Sequence, residues 1–251
     1  MKKVVVLSDL QVPYEDKNAV DLVFYFIKYF KPDECWIVGD WIDAPEPSRW
    51  NRGTAGEYER TLQKSIDLSV DYLARLRNLM GRKPIHFKTG NHDIRAEVYV
   101  RRYAPALTSL NALQLEDMLQ INRLNIHMHR SPVELMPNWM LAHGDEGALN
   151  RVGGSTAMNL AKRFNKSVVC GHTHRLGIQS TTTSVNGKVT GQLYGFEVGN
   201  LMRLNNAHYL PGGSGNWQQG FGILYERNKI VQPVPVYMTP KGFNVEGHWY
   251  E

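Results

Sequence analysis

Three times in the first 93 residues, a short apolar run ends abruptly in acidic or amide side chains. Lys3-Val4-Val5-Val6-Leu7 leads into Ser8-Asp9, residues 34–38 into Gly39-Asp40, and residues 85–88 into Gly90-Asn91-His92-Asp93. A continuous β-branched run is how a strand buried on both faces reads. Between the first two runs Pro13 forces a loop and Asp16 is placed to cap a helix. Val20, Val23, Phe24, Ile27 and Phe30 then recur at helical spacing until Pro32. Strand, helix, strand makes a βαβ unit. Its parallel pairing puts Asp9 and Asp40 at the same sheet edge, where α/β proteins place chemistry.

The pattern continues downstream. Apolar residues 139–142 end at His143-Gly144-Asp145, and residues 167–170 at Gly171-His172-Thr173-His174. Helical spacing predicts helices over 57–80, 94–103 and 153–164. Residues 104–138 are less regular, with a short helix expected over 115–119 and a strand over 125–129. On that strand His127 and His129 share a face; lacking a third ligand partner, they are expected to face solvent. After 174 the chain becomes strand-rich, with strands expected over 176–184, 189–198, 220–226 and 229–237. Asn186-Gly187 is a hairpin signal between the first two of these. No linker-like composition interrupts the chain, so residues 1–251 are expected to form one domain.

Composition narrows the class. The net charge of +5 favours anionic partners. Cys35 and Cys170 end apolar runs and cannot build a disulfide framework, which points to reduced core cysteines and a cytoplasmic protein. Residues 4–7 are too short for a signal-peptide core, and no apolar run approaches the ~20 residues of a membrane span.

The strand ends therefore supply Asp9, Asp40, Asn91, His143, His172 and His174. Carboxylate and amide oxygens mixed with imidazoles suit Mn²⁺, Fe or Zn²⁺ at an open site. So many ligands exceed the need of one such ion, whereas two ions ~3.5–4 Å apart, sharing a carboxylate, would use them all.

The order Asp-x-x, Gly-Asp, Gly-Asn-His-Asp, His-Gly, Gly-His-Thr-His over residues 4–174 closely resembles the calcineurin-like metallophosphoesterases. That resemblance implies an α/β fold, a four-layer α-β-β-α sandwich of two mixed sheets, with a dinuclear centre above the strand ends. It assigns Asp9, Asp40 and His174 to a first ion, and Asp40, Asn91, His143 and His172 to a second. A hydroxide held between the ions would attack phosphorus. His92 resembles the histidine that protonates the leaving oxygen, and Asp93 is expected to orient it. Gln11 departs from the pattern, standing where the family usually has histidine, so the first ion is expected to be held more weakly. It resembles a bacteriophage type of the family. Manganese is the expected metal, with Fe, Zn, Mg or Ni as other occupants.

The loop 41–56 leaves directly from Asp40, and its Arg49, Trp50 and Arg52 suit a phosphate and a planar base; the alternative is a surface loop with one packed tryptophan. Arg95, Arg101 and Arg102 offer further phosphate contacts, although a solvated helix face is the preferred reading of Arg101 and Arg102. Asn205, Asn206 and His208 lie in a Gly/Asn-rich tail loop, expected to stay off the site rim in preference to reaching it. The positive charge and the loop of Arg49, Trp50 and Arg52 favour a phosphodiester in a nucleotide or nucleic acid. The alternatives are a phosphomonoesterase or protein phosphatase, or a weakened member of the fold kept as a binding module.

Overall fold

The structure, a computed structural model, describes residues 1–204 and 215–251. Two sheets lie face to face between helices. The first has six strands in the order β11-β10-β1-β2-β3-β4. In it β1 (Lys2–Leu7), β2 (Glu34–Ile37), β3 (Ile85–Lys88) and β4 (His127–His129) run parallel. The antiparallel β10 (Gly220–Arg227) and β11 (Ile230–Tyr237) close one side. The second sheet has the order β5-β6-β7-β9-β8. Its β6 (Trp139–Leu141), β7 (Ser167–Cys170) and β9 (Lys188–Val198) are parallel, flanked by antiparallel β5 (Val133–Met136) and β8 (Leu176–Val185).

Alternation along β1 shows why this strand had to be apolar throughout. Val5 and Leu7 pack against helix α1 (Lys17–Phe30) and helix α2 (Leu62–Met80), together with Val20, Phe26 and Leu73. Val4 and Val6 point the other way, into a layer between the sheets with Val169, Phe196 and Val198. Helix α5 (Ser155–Phe164) covers the far face of the second sheet through Ala157, Leu160 and Ala161. The expected four-layer sandwich is therefore present, with both cysteines buried and reduced. Asp16 caps α1, accepting hydrogen bonds from the amides of Asn18 and Ala19. Asn186 and Gly187 (φ +50° and +74°) make the two-residue turn joining β8 to β9. Among the described residues, no helix is long and apolar enough to cross a membrane.

Several boundaries differ from the sequence reading. Helix α2 starts at Leu62 rather than at 57, because Arg60 takes a left-handed φ of +59°. There the buried Glu46 carboxylate draws in the Thr61 amide at 2.7 Å, holding the chain out of the helix. Helix α3 covers Arg95–Tyr103, and the expected short helix is α4 (Leu115–Met118). The strand expected over 125–129 is only His127–His129. Strand β5 and the small hairpin β12 (Phe243–Val245) and β13 (His248–Tyr250) were not anticipated. Asn205, Asn206 and His208 fall outside the described residues.

His129 has a partner that the sequence reading did not name, His86 on the neighbouring strand β3. Its Nδ1 lies 3.1 Å from His129 Nε2, and its ring stacks on buried Trp36 at 3.9 Å. His127 is exposed, as expected, but His129 is half-buried in this stack. Burial, outweighing the attraction of Glu34, pulls the His86 pKa down to about 4. An unfolded histidine titrates near 6.5, so the unfolded chain binds more protons between those values. Stability contributed by neutral His86 is present above pH 6.5 and lost as pH falls through about 4. His86→Phe keeps a stacked ring without the proton. Denaturant unfolding of that variant should weaken less steeply between pH 6.5 and 4 than that of the wild type; equal slopes would show that His86 is not a source of the acid sensitivity.

Candidate metal centre

Parallel strands bring five loops to one edge. Two belong to the second sheet, after β6 and β7; three belong to the first, after β1, β2 and β3. The loops are sewn together directly: the Asp9 amide donates to Gly39 O (3.1 Å), Gln11 to Asp40 O (3.0 Å) and Gly171 to His143 O (2.8 Å). Gly90 is required where the loops cross, since a Cβ there would collide with Asp40 Oδ1. Asp9, Gln11, Asp40, His172 and His174 all adopt positive φ between +50° and +66°. Such backbone costs of order 1–3 kcal/mol each for non-glycine residues, and its concentration here marks a built site.

Asp40 and His143 lie at the middle and are fully buried. His143 Nδ1 donates to Val38 O at 2.7 Å, which leaves Nε2 facing inward. That nitrogen lies 3.2 Å from each of Asp40 Oδ2, Asn91 Oδ1 and His172 Nδ1. On the other side of Asp40, Asp9 Oδ1 lies 3.2 Å from His174 Nε2. Between them sits Gln11, its Nε2 3.3 Å from Asp40 Oδ2, 3.3 Å from His174 Nε2 and 3.4 Å from Asp9 Oδ1. The structure thus gathers all seven candidate ligands.

These groups fit a cation. Carboxylates, an amide oxygen and imidazole lone pairs are acceptors, and acceptors turned toward one another in a dry site repel unless positive charge lies between them. Separations of 3.2 Å match the edge between ligands that each sit ~2.0–2.1 Å from one ion. Asp40, His143 and His172 have ligand atoms all within 4.8 Å of one another. Burial lowers the His143 pKa, but Asp40 and Asp9 outweigh it and hold it up to about 10. Burial also works against ionised Asp40, yet His143 and His92 bring its carboxyl well below the usual range. Gln11 Oε1 and His174 Nδ1 are buried without a hydrogen-bond partner. Turning the Gln11 amide over would exchange its nitrogen for that unsatisfied oxygen.

One sequence assignment is corrected. Asp93 does not orient His92. Its Oδ2 accepts from the amides of Gly90 (2.7 Å) and Asp40 (2.8 Å), and its Oδ1 from Trp41 (2.9 Å) and Ile42 (3.2 Å). It pins one loop to another, and burial beside Asp40 pushes its carboxyl up to about 7. The partner of His92 is Asp43, with Nδ1 2.6 Å from Oδ1. The signal was present as a second acid in Gly39-Asp40-Trp41-Ile42-Asp43. Burial lowers the His92 pKa, but Asp40 and Asp43 outweigh it and raise it. Arg95 completes the group, donating to His92 Nε2 (2.8 Å) and to Asp43 O (2.7 Å).

Two supporting residues were also missed. Glu146 accepts from the Gly144 amide (2.8 Å) and pairs with buried Lys88 at 3.3 Å, tying the His143 loop to the end of β3. Glu197 accepts from Thr173 Oγ1 (2.6 Å) and the Thr156 amide (2.8 Å), fixing the His172–His174 turn against α5. Nothing in local sequence spacing announces either. Trp217 lies edge-on to His174 at 4.7 Å.

A pocket of about 460 Å³ opens beside Asn91, His92 and Arg95, and its outer wall includes Arg49, Trp50 and Arg52. The four residues expected to bind substrate therefore share one cavity. Arg101 is not among its lining residues; Arg102 is.

A model of the calcineurin-like phosphoesterase family matches residues 2–176. The chain is 36% identical over 256 residues to the gene 54 protein of Mycobacterium phage D29, covering 100% of this chain and 99% of that protein. It is 34% identical over 254 residues to the gene 54 protein of Mycobacterium phage L5, with 100% and 99% covered. Vps29 of Chaetomium thermophilum superposes with a TM-score of 0.52 at 10% identity, over 97% of this chain and 94% of that one, a likeness of fold alone.

Replacing Gln11 tests the weaker half of the centre. Gln11→His exchanges an amide for a stronger donor and should tighten one of two Mn²⁺ binding events in calorimetry, leaving the other in place. Unchanged affinities and stoichiometry would place Gln11 outside the ligand shell.

Proposed function

The chain belongs to the calcineurin-like phosphoesterase family, metal-dependent hydrolases of phosphate esters, and we propose that this member cleaves a phosphodiester in a nucleotide or nucleic acid. Asp9, Gln11, Asp40 and His174 would hold one divalent ion, and Asp40, Asn91, His143 and His172 a second; manganese suits the mixed oxygen and nitrogen donors. Bound there, the ions supply an acidified water and neutralise charge on the phosphate oxygens. The work would be done in the cytoplasm, where buried Cys35 and Cys170 stay reduced.

The observation that carries the diester reading is the pocket beside His92, walled by arginines and tryptophan. A monoester and a diester both carry a leaving alcohol past phosphorus, so a receptacle on that side alone does not separate them. What favours a diester is the number of guanidinium groups there: Arg49, Arg52 and Arg102 lie in the pocket besides Arg95, cation enough for a further phosphate joined through a nucleotide. His92 is placed to give a proton to the departing oxygen, with Asp43 holding its ring and stabilising the charged form. For Nε2 to act, Arg95 must release it. An arriving phosphate is the anion to which that guanidinium would turn, while its other nitrogen stays on the Asp43 carbonyl.

With Mn²⁺ added, bis-p-nitrophenyl phosphate should turn over at least as fast as p-nitrophenyl phosphate. Asp40→Asn should abolish both reactions. His92→Ala should cost about a hundredfold or more in kcat, the loss growing as the leaving alcohol becomes a poorer leaving group. A protein that binds two ions yet hydrolyses neither ester would be a binding module instead.

A further inference from the structure

The pocket says more than that a diester fits. We infer that it receives an unpaired nucleotide on the leaving side of the scissile phosphate, base and next phosphate together, so that the substrate is a single-stranded polynucleotide. This rests on the reading of the site as a phosphodiesterase.

Position comes first. Asn91 and His92 line the pocket, whereas Asp9, Gln11, His172 and His174 do not. The cavity therefore leads away from the cluster on the His92 side, the direction taken by a group whose oxygen His92 protonates. Whatever fills it is covalently part of the leaving alcohol.

Charge comes second. Four arginines, Arg49, Arg52, Arg95 and Arg102, line the pocket and no carboxylate does. Arg95 is committed to His92 and Asp43, next to the scissile position. The other three have no carboxylate within 4.0 Å among the described residues. Three guanidinium groups without a close ion pair exceed what a neutral nucleoside can use, even with Arg52 donating to the Tyr103 hydroxyl and attracting Glu57 from a distance. They suit one more phosphate along a strand.

The aromatic surface comes third. Arg49 lies 4.6 Å over the Trp50 ring and Arg52 3.9 Å over the Tyr103 ring, while Tyr99 meets Tyr103 edge-on at 4.9 Å. Trp50 remains 75% exposed in spite of its size. A flat ring held in a pocket wall, with guanidinium planes beside it, is a stacking platform for a base. Ile94 and Val98 add apolar lining. In a duplex both faces of a base are already covered by its neighbours, so stacking on Trp50 requires a base free of its helix. At about 460 Å³ the cavity is within the usual range for small ligands, ~300–1,000 Å³, and suits one nucleotide rather than a helix.

The test uses the full chain with Mn²⁺ and compares pTpT, pUpU, bis-p-nitrophenyl phosphate, a single-stranded oligonucleotide and its blunt duplex. The single strand should be cut in preference to the duplex. Trp50→Ala and Arg52→Gln should each lower the ratio of kcat/KM for pTpT to that for bis-p-nitrophenyl phosphate by about tenfold, the loss expected from one stacked base. Trp50→Phe should restore most of it. The pTpT and pUpU arms separate DNA from RNA, since either strand offers the same base and phosphate. Calorimetric binding of pTpT to the metal-free protein gives a readout without turnover. If bis-p-nitrophenyl phosphate is not hydrolysed but pTpT binds in a Trp50-dependent way, the reaction assignment falls and the pocket assignment stands. Equal ratios in wild type and Trp50→Ala, or a duplex cut as fast as its single strand, would overturn the inference.

Discussion

The whole arrangement depends on a repulsion that the protein builds and then needs a cation to relieve. Asp40 is fully buried, and around it stand Asp9, Asn91, His143, His172 and His174, with acceptor atoms about 3.2 Å apart. No packing energy favours placing these groups together. They are held by the backbone: parallel strands ending at one edge, amide hydrogen bonds between loops, left-handed conformation at four of these residues and at Gln11, and a glycine where a side chain cannot fit. Strain of this kind persists when the surrounding structure over-determines it. In this protein the over-determination comes from two apolar layers, one on each face of β1.

A second theme is the division of labour among the acids. Four of them lie within a few residues of the crossing loops and each does something different. Asp40 sits at the junction of the two halves of the cluster. Asp43 holds His92. Asp93 accepts four amide hydrogen bonds and never reaches the chemistry. Glu146 spans to buried Lys88 and steadies the His143 loop. Chemical type alone would make these interchangeable; surroundings make them distinct. Asp40 also ties the cluster to His92, since its Oδ1 accepts from the His92 amide at 2.8 Å and its charge helps raise the His92 pKa.

How much of this could be read from the chain follows from the range of the interactions. The strand ends were legible because each is local: a β-branched run followed by a ligand residue. Their meeting was legible too, because parallel pairing puts equivalent ends together. Helix α2 began later than its periodicity suggested because Glu46, fifteen residues upstream, captures the Thr61 amide. The Asp93 role was misread for the same reason: adjacency to His92 is a property of the sequence, whereas the four amides it accepts come from two loops brought together by folding. His86 was overlooked as the partner of His129 because 43 residues separate them. The pocket residues Arg49, Trp50, Arg52 and Arg95 were picked for their chemistry, and only the fold shows that they line a single cavity.

The most direct test is anomalous diffraction from crystals soaked in Mn²⁺, recorded on both sides of the manganese absorption edge. Two peaks about 3.5–4 Å apart, one on each side of the Asp40 carboxylate, are the result this account requires. A cleft with no anomalous density between Asp9, Asp40, His143 and His172, or an Asp40 carboxylate turned away from Asn91 and His172, would contradict it.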